Sequence, residues 1–114
     1  MIYLFLNCDE YLIAQSIAKL KSGLGDAEMA DLNTTVLEGP KTDAGDILGQ
    51  ASMMPFLASK RLILVHEYLS HLDKRMSASK STGSAAHLEA AQLMEGLAAL
   101  TDSCDLVLIE SGLN

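Results

Sequence analysis

The sequence predicts an α/β fold, a three-layer sandwich built around a mainly parallel sheet, and three observations predict it. Four short apolar runs recur along the chain, at Ile2–Leu6, Thr34–Glu38, 61–67 and Cys104–Glu110. The last two are continuously apolar over 62–65 and 106–109, which is the pattern of central strands buried on both faces of a parallel sheet rather than the alternation of a half-exposed one. Helical patterns lie between the runs, and strands that alternate with helices stack as a sheet covered on both sides.

The elements follow in order. After the first run, Asp9 can cap a helix over 9–22, whose Ile13, Ile17 and Leu20, followed by Leu24, recur at i, i+4, i+7 and i+11, with Gly23 and Gly25 as stops. Thr42 with Asp43 starts a second helix carrying Ile47, Leu48 and Ala51. Pro55 disfavours helical geometry at Met54, so this helix ends there or just before. A third helix covers 85–100, with Leu88, Ala91, Leu93, Leu97 and Leu100 on its apolar side. Residues 76–84, "MSASKSTGS", are small, polar and aperiodic and read as a surface loop. The pattern stops a few residues after the last strand without a closing helix, which reads as a piece of a longer protein.

The 114 residues are 49% hydrophobic and 20% charged, the balance of one globular domain over 1–114. No apolar run approaches the roughly 18 residues that span a bilayer. The N-terminal "MIYLFLNCDE" has no basic residue ahead of its short apolar run and two acids behind it, unlike a secretory signal. Cys8 and Cys104 read as small buried side chains in a reducing cytoplasm. A net charge of −7, with eight scattered Lys and Arg, argues against wrapping nucleic acid unaided, because such binding draws on phosphate neutralisation.

Catalytic and cofactor chemistry finds little support. The turn after the first run, "LNCDEYL", sits where P-loop and Rossmann proteins hold phosphates, yet it has neither Gly nor Lys and places Asp9 and Glu10 at the helix N-terminus. Acids there are ordinary caps. "SKSTG" at 79–83 echoes the phosphate motif but follows no strand. His66, His71 and His87 lack the spacing of a metal site. Asp9, Glu10, Glu38, Glu67 and Glu110 stand at the proposed C-terminal strand ends, where α/β enzymes bind ligands, so a metal-dependent α/β enzyme using these carboxylates is the alternative reading.

"SMMPFLASKRLILVHE", residues 52–67, raises a different question. Connections are usually polar, but Met53, Met54, Phe56 and Leu57 crowd around Pro55. Either these side chains fold back under the sheet or they form an exposed apolar knob, which marks a partner surface. Sequence physics leaves both open.

Four segments in register, "MIYLFLNCDEYLIAQSIAKLK", "DLNTTVLEG", "ILGQASMMPFLASKRLILVHE" and "LAALTDSCDLVLIESGLN", resemble the N-terminal domain of the delta subunit of the bacterial DNA polymerase III clamp loader. The most specific part is "PFLASKRLILV", residues 55–65; Asn7 stands where that family more often has Gly. The resemblance implies a P-loop/AAA+-like domain lacking the nucleotide-binding loop, without cofactor, metal or catalysis of its own, that binds and helps open the beta sliding clamp during DNA replication. It also implies other clamp-loader subunits as partners, primer-template DNA only through the full complex, no membrane, a cytoplasmic location, and lid and collar domains beyond 1–114. The clamp-binding pair of that family falls on Phe56 and Leu57, with Met53, Met54 and Pro55 as supporting wall.

Overall fold

The four apolar runs pair as one parallel sheet. The computed structural model describes residues 1–6, 9–56, 60–78, 85–100 and 102–111. Within it, β1 (Ile2–Leu6), β2 (Thr34–Glu38), β3 (Arg61–His66) and β4 (Cys104–Glu110) lie in the order β1-β4-β3-β2, every neighbour parallel. The inner pair, β3 and β4, is buried along almost its whole length, as continuous apolar runs require.

Parallel strands need crossovers, and the helices supply them on both faces. On one face, α1 (Glu10–Ser22) and α2 (Ala27–Leu32) cover Leu62, Leu64, Val107 and Ile109, with Ile13, Ile17 and Leu20 packed against that cluster. On the other, α3 (Ala44–Ala51), α4 (Tyr68–Ala78) and α5 (Ala85–Ala98) enclose Ile63, Val65, Leu106 and Leu108 with Ile47, Tyr68, Leu72 and Leu93. This is the three-layer sandwich expected from the sequence. The edge strand β1 turns Tyr3 and Phe5 toward α1 and leaves Ile2, Leu4 and Leu6 about half exposed on its other side.

Caps place the helix starts. The Asp9 carboxylate accepts the Tyr11 N–H at 2.7 Å, and Asp43 and Asp46 form a reciprocal capping box at the start of α3. Asp9 therefore serves as the ordinary cap its sequence position predicted, and Glu10 adds a second acid in the first turn of α1.

Two helices were not expected. The short α2 begins at Asp26, whose carboxylate accepts the Met29 N–H at 2.9 Å. The longer α4 follows β3 after a single residue and extends through Met76, Ser77 and Ala78, so the first three residues of the expected 76–84 loop are helical; residues 79–84 lie outside the described set. In α5, Leu88 and Ala91 face solvent, while Ala86, Leu93, Ala90 and Leu97 pack inward. Where α3 approaches α5 most closely the residue is Gly96, on which a Cβ would lie 2.3 Å from the Leu48 side chain.

The turn into α4 carries backbone strain. Glu67 has φ 59°, the left-handed region that a residue with a Cβ enters at a cost. Its N–H donates to the Ile109 carbonyl at 2.8 Å, which holds the turn. Gly39 packs directly on this turn, where an added Cβ would lie 2.2 Å from the Glu67 carbonyl oxygen and 2.4 Å from the Tyr68 Cα. Both obstacles are backbone and cannot rotate away. Gly39→Ala is expected to destabilise the domain by about 1–3 kcal/mol, the scale of overpacking a filled site, whereas Gly49→Ala, with open space around it, costs nothing comparable. Urea melts of both variants read this directly, and equal midpoints would remove the close-packing argument.

Candidate functional site

The connection between α3 and β3 lies at the N-terminal edge of the parallel strands, opposite the edge where α/β enzymes gather their ligands. Helix α3 buries Ala44, Ile47 and Ala51 and ends at Ser52, whose N–H and hydroxyl both donate to the Leu48 carbonyl. Beyond that cap Met53 is 51% exposed, Met54 87% and Phe56 57%, with Pro55 half-buried. Of the two readings of this stretch, the exposed knob holds for Met53, Met54 and Phe56. Leu57, the second residue of the expected pair, lies outside the described residues.

An exposed apolar tip needs an anchor, and polar groups provide it. Asn33, fully buried between α2 and β2, uses its whole carboxamide: Nδ2 donates to the Met29 carbonyl at 3.0 Å and to the Phe56 carbonyl at 2.8 Å, and Oδ1 accepts the Phe56 N–H at 2.7 Å. The Phe56 backbone is thus paired on both sides, as it would be by a neighbouring strand. Releasing it would strand a buried donor and a buried acceptor, at about 1–3 kcal/mol each. Asn33 is itself fixed, because its carbonyl accepts the Leu62 N–H at 2.8 Å.

A second clamp holds the helix behind the tip. Arg61 opens β3 and is buried, and its guanidinium donates at 2.9 Å to both the Thr35 hydroxyl and the Gln50 side-chain oxygen. It ties the last turn of α3 to β2. Its Nε has no hydrogen-bond partner among the described residues. Nearby, Lys60 sits 3.3 Å from Asp105.

At the opposite edge the strand-end acids Asp9, Glu67 and Glu110 are occupied by their own chain. Glu110, 1% exposed, accepts the Leu69 N–H at 2.5 Å and the Ser70 N–H at 3.4 Å, capping α4 from a neighbouring strand. Glu67 accepts the Ser111 N–H at 2.8 Å and its hydroxyl at 2.6 Å, and the Ser70 hydroxyl stands between the two carboxylates, 3.0 and 2.8 Å away. Asp9 caps α1, and Glu38 lies 4.0 Å from Lys41. Among the described residues no three His, Cys, Asp or Glu side chains gather in the arrangement of a metal site. Cys104 is buried, and that burial pushes its thiol up; Asn7 and Cys8 lie outside the described residues.

The sequence matches the family described as DNA polymerase III, delta subunit, over residues 3–112. The chain belongs to that family. Among solved structures it is similar to the Bacillus subtilis DNA clamp loader delta protein (YqeN), with a TM-score of 0.71 and 17% identity over 96% of this chain. At that identity the likeness is one of fold. The chain spans 31% of the length of that relative. No curated protein matches it significantly. The family assignment agrees with the resemblance read from the sequence. Among the described residues of this delta-family chain, no helix is long and apolar enough to cross a membrane.

Sequence reasoning missed Asn33 and the Arg61–Gln50 pair as the groups that hold the tip. An Asn between a helix and a strand reads as a helix terminator, and no local signal ties it to a backbone 23 residues onward.

The acids at the other edge make stability depend on pH. The Ser111 hydroxyl holds Glu67 below the usual 4.5, burial opposes this, and the Ser111 N–H and Ser70 hydroxyl add to the lowering. Burial alone would raise Glu89, but hydrogen bonds from Arg75, at 3.0 Å, and from Tyr68 outweigh it and hold Glu89 low. A carboxyl whose folded pKa lies below its unfolded one stabilises fully above the unfolded value and loses that contribution as pH falls through the folded one. The urea midpoint of the parent should therefore fall between about pH 5 and 3, and fall less steeply in Glu67→Gln and Glu89→Gln. Identical slopes in all three proteins would contradict these assignments.

Proposed function

We propose that this chain is the sliding-clamp-binding part of a clamp-loader delta subunit, and that Phe56 with Leu57 enters a hydrophobic pocket on the clamp while Met53, Met54 and Pro55 form the wall of that contact. One observation carries the reading: in a chain of the delta family, large apolar side chains stand in solvent on a backbone that a buried carboxamide holds in place. Apolar side chains scattered on a surface are common, but a contiguous cluster on a fixed support is what a partner pocket selects.

The mechanism is differential binding. A ligand shifts an equilibrium between closed and loosened clamp only by its difference in affinity for the two, so the delta surface must fit the loosened ring better. The plug anchors the domain, and α3, tied to the sheet by Arg61, would bear on the adjoining interface without bending. ATP hydrolysis, the remaining loader subunits and primer-template DNA belong to the full assembly, and this domain contributes binding rather than catalysis.

The double substitution Phe56→Ala with Leu57→Ala separates plug from core. It should leave the melting temperature close to that of the parent and weaken binding to purified sliding clamp at least about tenfold, the scale of an interface hot spot. Truncating a buried Phe would instead cost about 3–5 kcal/mol of fold stability. A melt far below the parent, or undiminished clamp binding, sinks the assignment.

A further inference from the structure

We infer that Asn33 is the positioning residue of the apolar tip: its buried carboxamide sets the backbone of Phe56 in the pose that enters the partner pocket, an inference that rests on the clamp-binding reading above. Asn33 touches no solvent and so cannot itself contact a partner. It acts through Phe56, which it grips at both the N–H and the carbonyl.

The chemistry of the site selects this side chain. The Phe56 N–H requires an acceptor and the Phe56 carbonyl a donor, and a carboxamide offers one of each at the spacing of a peptide unit. Aspartate would supply the acceptor but no donor, and would set a carboxylate against the carbonyls of Met29 and Phe56. The second Nδ2 proton goes to Met29, which fixes the plane of the amide against the last turn of α2. The Asn33 carbonyl accepts from Leu62 and joins the same residue to β3. The rigidity of the sheet therefore reaches the tip through one side chain, as support for a binding residue requires.

The consequence for binding is entropic. With its backbone held, Phe56 brings only its side-chain torsions to be ordered in a pocket, whereas an unclamped loop must also fix its backbone on binding. Cutting the clamp should weaken the partner contact through Phe56 and through nothing else.

The first test needs no substitution. In the parent, the Phe56 amide should exchange with solvent at least about a hundredfold more slowly than in an unfolded chain, since its N–H points at a buried oxygen; an unprotected Phe56 amide overturns the inference. The second is a cycle of Asn33→Ala and Phe56→Ala, with affinity for the purified sliding clamp as the readout. Asn33→Ala should weaken binding roughly two- to tenfold in the parent and not at all further in the Phe56→Ala background. Equal losses in both backgrounds would mean that Asn33 acts on the fold at large, and no loss in a folded Asn33→Ala would mean that it does not pose the tip; either overturns the inference while the plug stands. If Phe56→Ala alone leaves binding unchanged, the plug reading fails and takes this one with it. Should Asn33→Ala not fold, N33D, which keeps the acceptor and loses the donors, takes its place in the same cycle.

Discussion

Burial of β3 and β4 on both faces is the constraint from which the rest of the domain follows. Two strands that present apolar side chains up and down need helices on both sides, and parallel neighbours can be joined only by crossovers. Every strand-to-helix turn then lies at one edge of the sheet and every helix-to-strand turn at the other. The two edges acquire different chemistry. At the first, helix N-termini present unpaired N–H groups, and acids collect there: Asp9 on α1, Asp43 on α3 and Glu110 on α4. At the second, helices end and strands begin, and there Asn33 and Arg61 hold the segment that carries Met53, Met54 and Phe56.

Three of the carboxylates that suggested an enzyme, Asp9, Glu67 and Glu110, thus answer a need of the fold. Glu110 is buried because α4 starts without a cap of its own, and it supplies the acceptor from the adjacent strand. Glu67 accepts left-handed geometry because the chain must reverse from β3 into α4 within one residue, and the Ser111 N–H and hydroxyl steady its carboxylate there. Gly39 completes the arrangement by leaving room for the reversed backbone. An acid at a strand end is ambiguous in sequence, because the same residue type caps a helix or binds a metal, and only its partners in space decide between the two.

That ambiguity marks the boundary of what could be read in advance. All four strands were legible, since short runs of five to seven residues between turn signals have few alternatives, and the inner two are continuously apolar over 62–65 and 106–109. Helix α4 was not, although Leu69, Leu72 and Met76 recur at helical spacing: its turn has a glutamate where a glycine or asparagine would announce a left-handed residue, and its cap lies some forty residues away on another strand. The inward face of α5 was legible at Leu93 and Leu97, and at Leu100 just past its end, but not at Leu88 and Ala91. Leu88 looks like core in a one-dimensional pattern but stands in solvent, whereas Ala86 and Ala90 pack inward beside Leu93 and Leu97, and Gly96 meets the Leu48 side chain of α3 where no Cβ would fit. The apolar tip was visible as an anomaly in the sequence, and the carboxamide that anchors it was not, because that pairing is long-range.

Magnitudes say why the anchor matters. Full burial of a large apolar side chain is worth roughly 1.5–3 kcal/mol, and Met53, Met54 and Phe56 are already partly covered, so a pocket that closed over all three would return on the order of 3–6 kcal/mol. Association costs an estimated 4–15 kcal/mol in lost overall freedom before any loop is ordered. The tip alone therefore offsets that cost only at its low end, and ordering even a few backbone residues, at about 1–2 kcal/mol each, would remove what margin there is. Asn33 removes that cost in advance by holding Phe56 while the domain is free, and Arg61 does the same for the last turn of α3. On the proposed reading, two buried polar side chains that never meet the clamp decide whether a handful of exposed apolar ones can hold it.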